Sequence, residues 1–256
     1  MANLYYREDL PGDAFAGAET VEIAGEEARH ALRVSRLRLG ERIAVGNGAG
    51  ALGAGEVVRV ARDRFAVRLD EVRTEPAPSP RLHLVQALAK GDRDERAVEQ
   101  ATEFGVDGIV PWQAERSVSR WDGGGDGGEK AAKGVAKWRR IAREASKQSL
   151  RARIPEVSDP GSLSGLCDLA RGGAGVLVLH PAGDRALSDH AREIAAAGGD
   201  ANLFLVIGPE GGLSAGELDA FRSAGAAILR LGDTVLRTSS AGPAAIAVLN
   251  AALGRW

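Results

Sequence analysis

The stretch "VIGPEGGLSAGEL", Val206–Leu218, decides how the chain is read. Its apolar lead-in "LFLVIG", Leu203–Gly208, is short, continuous and partly β-branched, the pattern of a buried strand. Ser214-Ala215-Gly216-Glu217 then matches S-x-x-E, a capping box in which each side chain satisfies a backbone N–H of a first helical turn. The glycines between therefore sit on a strand-to-helix loop at the carboxyl end of a strand, where open α/β sheets place ligands. Gly208, Gly211 and Gly212 let backbone approach a guest, and Pro209 stiffens the turn. On this stretch alone, an ordinary tight connection would read the same way.

Strands and helices alternate around that motif. "LHLVQALA", "GIVPW", "GVLVLHP" and "AAILRLG" read as strands. "RDERAVEQATEFG" has helical spacing, with Ala97, Ala101 and Phe104 on one face and Gly105 as a stop. "EKAAKGVAKWRRIAREASKQSLR" reads as a long basic helix, and "LSDHAREIAAAG" and "SAGPAAIAVLNAAL" as further helices. "DGGGDGG", Asp122–Gly128, reads as a flexible loop. This alternation predicts a mostly parallel sheet covered on both faces. The expected fold class is α/β, over residues 81–256. Upstream, "EPAPSP", residues 75–80, is a linker, since its three prolines cannot continue a helix or a central strand. Residues 1–74 hold alternating runs, "ERIAVGNG", "GAGEVVRV" and "RFAVRLDEV", that predict a small β-rich domain.

The 256 residues are 44% hydrophobic and 27% charged, the composition of a soluble globular protein. No apolar run approaches the ~20 residues of a membrane helix. The N-terminus lacks the basic and apolar regions of a secretory signal. Cys167 stands alone, so no internal disulfide forms, and no Cys/His cluster suggests a metal. A reducing, cytoplasmic location fits. The net charge of −2 means that a nucleic acid would have to be bound by local patches.

Three loops at predicted strand ends are distinctive: "LHPAGD", "IGPEGG" and "LGDTVLRTSSAG". In a parallel sheet they gather on one edge and can build a pocket largely from backbone groups. None carries GxGxxG or GxxxxGK[ST], which argues against a dinucleotide fold or a P-loop. Together, "IGPEGGLSAGEL" and "LGDTVLRTSSA" resemble the S-adenosylmethionine site of SPOUT methyltransferases, and within them the RsmE family, which methylates N3 of a uridine in bacterial 16S rRNA. "HALRVSRLRLGERIAV" resembles that family's N-terminal PUA-like RNA-binding β-barrel. "ALAKGDRDERAVEQATEFGVDGIVPWQAERS" is similar to its next block. Glu144, Gln148, Arg151 and Pro155 match its E-x-x-x-Q-x-x-R-x-x-x-P segment. One departure stands out: where the family usually has L-R-T-E-T-A, this chain has Leu236-Arg237-Thr238-Ser239-Ser240-Ala241, and Ser239 cannot serve as a carboxylate.

The resemblance implies a C-terminal trefoil-knot domain, a homodimer whose subunits complete each other's sites, and S-adenosylmethionine as the cofactor. It implies donor contacts at Leu179, His180, Pro181, Ile207, Gly208, Gly211, Gly212, Leu231, Leu236 and Thr238. Methyl transfer needs alignment of donor and acceptor, and uracil N3 must lose a proton to become nucleophilic. Arg237 would stabilise the uracil anion, and Glu210 is a candidate base; a Glu210 bonded to nearby N–H groups would instead be a weak base. His180 is equally consistent with substrate contact and with a structural role. Trp112, Trp121 and Trp138 are expected to pack rather than to stack on bases.

Arg29, Arg33, Arg36, Arg38 and Arg42 crowd one segment, and Lys130–Arg153 carries nine Lys/Arg against the single acid Glu144. Charge runs are usually solvated faces, but beside an RNA-modifying site they point to phosphate contact. The expected RNA contacts are Arg29, Arg33, Arg36, Arg38, Lys147 and Arg151. The expectation is therefore a uracil-N3 methyltransferase of 16S rRNA, acting on the small ribosomal subunit. A SPOUT enzyme for another RNA and a non-catalytic RNA-binding assembly factor are the rivals.

Overall fold

The computed structural model describes residues 3–121 and 127–256. Most of the Asp122–Gly128 loop expected from the sequence lies outside these described residues. The chain forms two compact units, residues 1–77 with 144–154, and residues 78–143 with 155–256.

In the first unit, β1 (Leu4–Tyr6), β2 (Thr20–Ala24), β3 (Arg42–Gly46), β4 (Ala51–Val60) and β5 (Arg64–Thr74) form one sheet, in the order β1-β3-β4-β5-β2. The predicted alternating runs are β3, β4 and β5. β1 pairs parallel with β3, and the other pairs are antiparallel. Register shifts in β4 bend the sheet into a half-barrel. At one of them, a Cβ on Gly55 would lie 2.0 Å from the Arg68 carbonyl oxygen, so only glycine fits. Helix α1 (Gly12–Ala16) and the amphipathic α2 (Gly25–Arg33) accompany the sheet, and α2 buries Ala28 and Ala31 against Tyr5, Ile23, Ile43 and Phe65.

The second unit is an all-parallel seven-stranded sheet. Its strands are β6 (Leu82–Ala87), β7 (Gly108–Trp112), β8 (Glu156–Val157), β9 (Gly175–Leu179), β10 (Arg185–Ala186), β11 (Leu203–Ile207) and β12 (Ala227–Arg230), in the order β10-β12-β9-β11-β6-β7-β8. The short edge strands β8 and β10, at two residues each, carry too little pattern to be read from sequence. β11 is central, between β9 and β6, and its continuous apolar run reflects burial on both faces.

Helices α3 (Arg93–Glu103), α6 (Leu187–Ala197), α8 (Thr238–Ala252) and part of α4 (Gly127–Gln148) enclose one core with Leu84, Ile109, Trp138, Leu205 and Ile246. Helices α5 (Leu163–Arg171) and α7 (Ala215–Ser223) enclose a second with Trp112, Val206, Phe221 and the buried Cys167. Trp112 and Trp138 are fully buried, Trp112 edge-on to Phe221 and Trp138 edge-on to Trp121. All three tryptophans thus pack, as expected.

After β12 the chain returns across the strand ends to start α8 against β6 and β11. A Cβ on Gly242 would lie 2.9 Å from Leu84 Cδ1, which measures how closely α8 lies on the sheet.

Candidate donor-binding site

The loops after β9, β11 and β12 meet at one sheet edge around a cavity of about 590 Å³. Each is shaped by a local device. After β9, His180 N–H bonds to Leu229 O (2.9 Å) and Gly183 N–H returns to His180 O (3.0 Å). A Cβ on Gly183 would lie 2.4 Å from the Leu229 carbonyl carbon, so glycine lets this loop lie on β12. After β11, Gly212 has φ +69° and closes a turn onto Pro209 O (2.9 Å). The capping box at the start of α7 is complete: Ser214 Oγ accepts from Glu217 N–H (3.2 Å), and Glu217 Oε2 accepts from Ser214 N–H (2.8 Å). After β12, Thr238 opens α8, and its hydroxyl donates to Gly208 O (2.8 Å) while accepting from Gln86 Nε2 (2.9 Å). That buried hydroxyl ties the third loop to the second.

Leu179, His180, Pro181, Ile207, Gly208, Gly211, Gly212, Leu231, Leu236 and Thr238 all line this cavity, and so do Glu210 and Arg237. Its apolar walls beside a run of exposed glycine backbone suit an adenosine and an amino-acid chain in their size and mix of surfaces. Glu210 is the one carboxylate among the lining residues. Its Oε1 accepts from Arg93 Nη1 (2.6 Å) and from Lys90 N–H (3.0 Å). Partial burial pushes its pKa up, but the Arg93 contact and the backbone bonds outweigh this, and the carboxyl is held below its usual value. Arg237 precedes α8 in extended conformation; it is exposed, and its guanidinium has no partner among the described residues. No acidic side chain lies in the first turn of α8, where Ser239 sits half-buried.

Partial burial and nearby Arg222 both lower the pKa of His180. Its Nδ1 accepts from Ala182 N–H (3.2 Å), which leaves the ring proton on Nε2 as a donor.

Two charged lining residues escaped the sequence reading. Arg93 follows β6 and Arg116 follows β7, and Arg116 Nη1 bonds to Gly211 O (3.1 Å). The available signal was positional: loops after β6 and β7 must open on the same edge as the other three.

The expected RNA contacts divide. Arg29, Arg33, Arg36 and Arg38 are exposed around the end of α2, with Val34 and Leu39 also open to solvent. Arg36 sits at φ +54°, in the left-handed turn that ends the helix region. Lys147 does not stand on a free surface. It is 8% exposed, its Nζ lies 3.1 Å from Glu27 Oε1, and it sits over the Tyr5 ring. Its charge is paired with Glu27 inside the first unit. Arg151 is half-buried, and its carbonyl accepts from the Tyr6 hydroxyl (2.7 Å).

Comparison with known proteins agrees with this geometry. An RNA methyltransferase domain model matches residues 75–250, and an RNA methyltransferase PUA domain model matches residues 23–70. The chain is 40% identical to the ribosomal RNA small subunit methyltransferase E of Mycobacterium tuberculosis, over 100% of this chain and 94% of the relative. It is 28% identical to the protein of that name from Bacillus subtilis, over 92% and 91% of the two chains. Among solved structures, it is similar to the Neisseria gonorrhoeae ribosomal RNA small subunit methyltransferase E bound to S-adenosyl methionine, with 25% identity, a TM-score of 0.79 and 98% of each chain covered. A Legionella pneumophila methyltransferase in complex with the same cofactor gives 31% identity, a TM-score of 0.78 and 98% coverage of each chain.

Proposed function

The chain belongs to the ribosomal RNA small subunit methyltransferase E family, and from that premise we propose that it methylates N3 of a uridine in 16S rRNA of the small ribosomal subunit, with S-adenosylmethionine as donor. The observation that carries this reading is one cavity lined by glycine backbone, apolar walls and Arg237, whose guanidinium has no partner among the described residues, while the single lining carboxylate is already engaged.

When bound, the donor supplies an electrophilic sulfonium methyl group. Leu179, Pro181, Ile207, Leu231 and Leu236 would cover its adenosine, and the Gly208–Gly212 backbone would meet its polar edges. Thr238 holds Gly208 in place for that contact. Arg237 would face O2 or O4 of the uracil and stabilise the anion that remains when N3 loses its proton. Glu210, ionised and doubly hydrogen-bonded, is a brace rather than a base. With Glu210 so engaged, the N3 proton would leave to solvent first, and the resulting uracil anion would then take the methyl group as the S–CH3 bond breaks. His180, with Nε2–H as its free donor, would add a neutral hydrogen bond to donor or substrate.

Arg29, Arg33, Arg36 and Arg38 are the proposed RNA contacts of the first unit, and a cytoplasmic setting follows from a ribosomal substrate. A homodimer is the proposed active form. Val235 and Val118, 79% and 70% exposed, are the apolar side chains a partner subunit would cover. Light scattering should show a dimer at assay concentrations, and a fully active monomer would contradict this. The activity itself is tested by incubating the purified protein with donor and unmodified small-subunit particles. Appearance of 3-methyluridine supports the reading. A methylated base elsewhere would favour another RNA substrate, and absent donor binding by calorimetry would favour an assembly factor.

A further inference from the structure

The glycine-rich loop after β11 does not hold its curve by its own bonds. Apart from the Gly212–Pro209 turn and the Thr238 bond to Gly208 O, its backbone is gripped from behind by the end of β7 and the segment that follows it. Trp112 Nε1 donates to Ile207 O (3.1 Å). Arg116 Nη1 donates to Gly211 O (3.1 Å) and, at 3.4 Å, to Leu213 O. Glu217 completes the grip. It is 4% exposed, and both carboxylate oxygens are spent on backbone N–H groups: Oε2 on Ser214 (2.8 Å) and Oε1 on Glu115 (2.8 Å). One oxygen closes the helix cap, and the other ties α7 to a loop 102 residues earlier in the chain.

We propose that Glu217 and Arg116 are positioning residues that fix the Gly208–Leu213 backbone in the curve that receives the donor. The inference rests on the donor reading above. Glycines have the widest backbone freedom of any residue, so an unbraced loop would spread over many shapes, and only the fraction in the right one would bind. Two bonds to consecutive carbonyl regions of the loop, and one to its helix, remove that freedom before the donor arrives. Glu217→Gln keeps the shape but turns one acceptor into an NH2 that faces a backbone N–H. Arg116→Lys keeps the charge but loses the planar guanidinium that places Nη1 between Gly211 O and Leu213 O.

The test is calorimetric titration of S-adenosylmethionine into Glu217→Gln, Arg116→Lys and Ser214→Ala proteins, with thermal unfolding of each. Ser214→Ala removes the helix cap but leaves the Glu217–Glu115 bond, so it separates capping from loop positioning. Glu217→Gln and Arg116→Lys should each weaken donor binding on the order of tenfold, while single-turnover transfer at saturating donor falls less than about threefold. Ser214→Ala should lower the unfolding midpoint yet bind the donor within about twofold of the unsubstituted protein. Unchanged donor affinity in both Glu217→Gln and Arg116→Lys overturns the inference alone. So does an equal loss in Ser214→Ala, which would reduce Glu217 to a helix cap. Failure of the unsubstituted protein to bind donor overturns the reading of the preceding section, and this inference with it.

Discussion

Glu210 Oε1 lies 2.6 Å from Nη1 of Arg93, and the same oxygen accepts from the backbone N–H of Lys90. The one carboxylate lining the cavity is thus spent on joining the loop after β11 to the loop after β6. The first prediction follows from that bond. Glu210→Gln should weaken donor binding on the order of tenfold and change single-turnover transfer at saturating donor little. A loss confined to the single-turnover rate would make Glu210 a base after all.

The pH dependence of donor affinity has a definite sign. The pKa of Glu210 is depressed in the folded protein, so its brace is intact above the ordinary glutamate range (~4.3) and is lost as pH falls through the depressed value. Calorimetry from neutral pH downward should show no loss attributable to this group until the solution is more acidic than that range. A loss near neutrality that Glu210→Gln abolishes would contradict the assignment.

Arg237 acts on the chemical step. Arg237→Lys should lower single-turnover transfer on the order of tenfold and Arg237→Ala on the order of a hundredfold, with donor affinity within about twofold. With no protein base, the unsubstituted rate should keep rising with pH toward the uracil N3 pKa. A wild-type rate in Arg237→Lys would remove the anion-stabilising role.

Gly211→Val is a steric test of the site. A Cβ at Gly211 would lie 3.1 Å from Arg116 Cβ and 3.4 Å from Arg116 O, so a branched side chain must part the two loops. Donor affinity should fall at least about tenfold while the unfolding transition stays cooperative, since the two large cores are untouched. Unchanged affinity would remove this loop from the donor site.

The RNA surface is tested through salt. Arg33→Ala, and Arg36→Gly, which suits the left-handed backbone at that position, should each reduce the salt slope of RNA binding by about one and leave donor binding alone. Identical salt slopes would make these side chains ordinary solvated charges.

How far the sequence reveals all this differs from element to element. β11 and the start of α7 are legible because the signals are local: an apolar run, then Ser214 and Glu217 at capping distance. The remaining strands of the parallel sheet are legible where they are long, and not where pairing depends on two residues, as in β8 and β10. Arg93 and Arg116 are not legible, because their place at the cavity follows from the order of the strands in the sheet and not from any local pattern. The Thr238–Gly208 bond is invisible for the same reason: it exists only because the chain crosses back over the strand ends. Lys147 is a different case. It stands in a basic run that reads as an RNA-contacting face, and its partner Glu27, 120 positions upstream in the first unit, has no local signal that would reveal the pairing.

The most direct test of the central claim is nucleoside mass spectrometry of 16S rRNA from a strain lacking the gene, with and without complementation. The account predicts that 3-methyluridine disappears from the small-subunit RNA on deletion and returns with the intact gene. Undiminished 3-methyluridine in the deletion strain would contradict it.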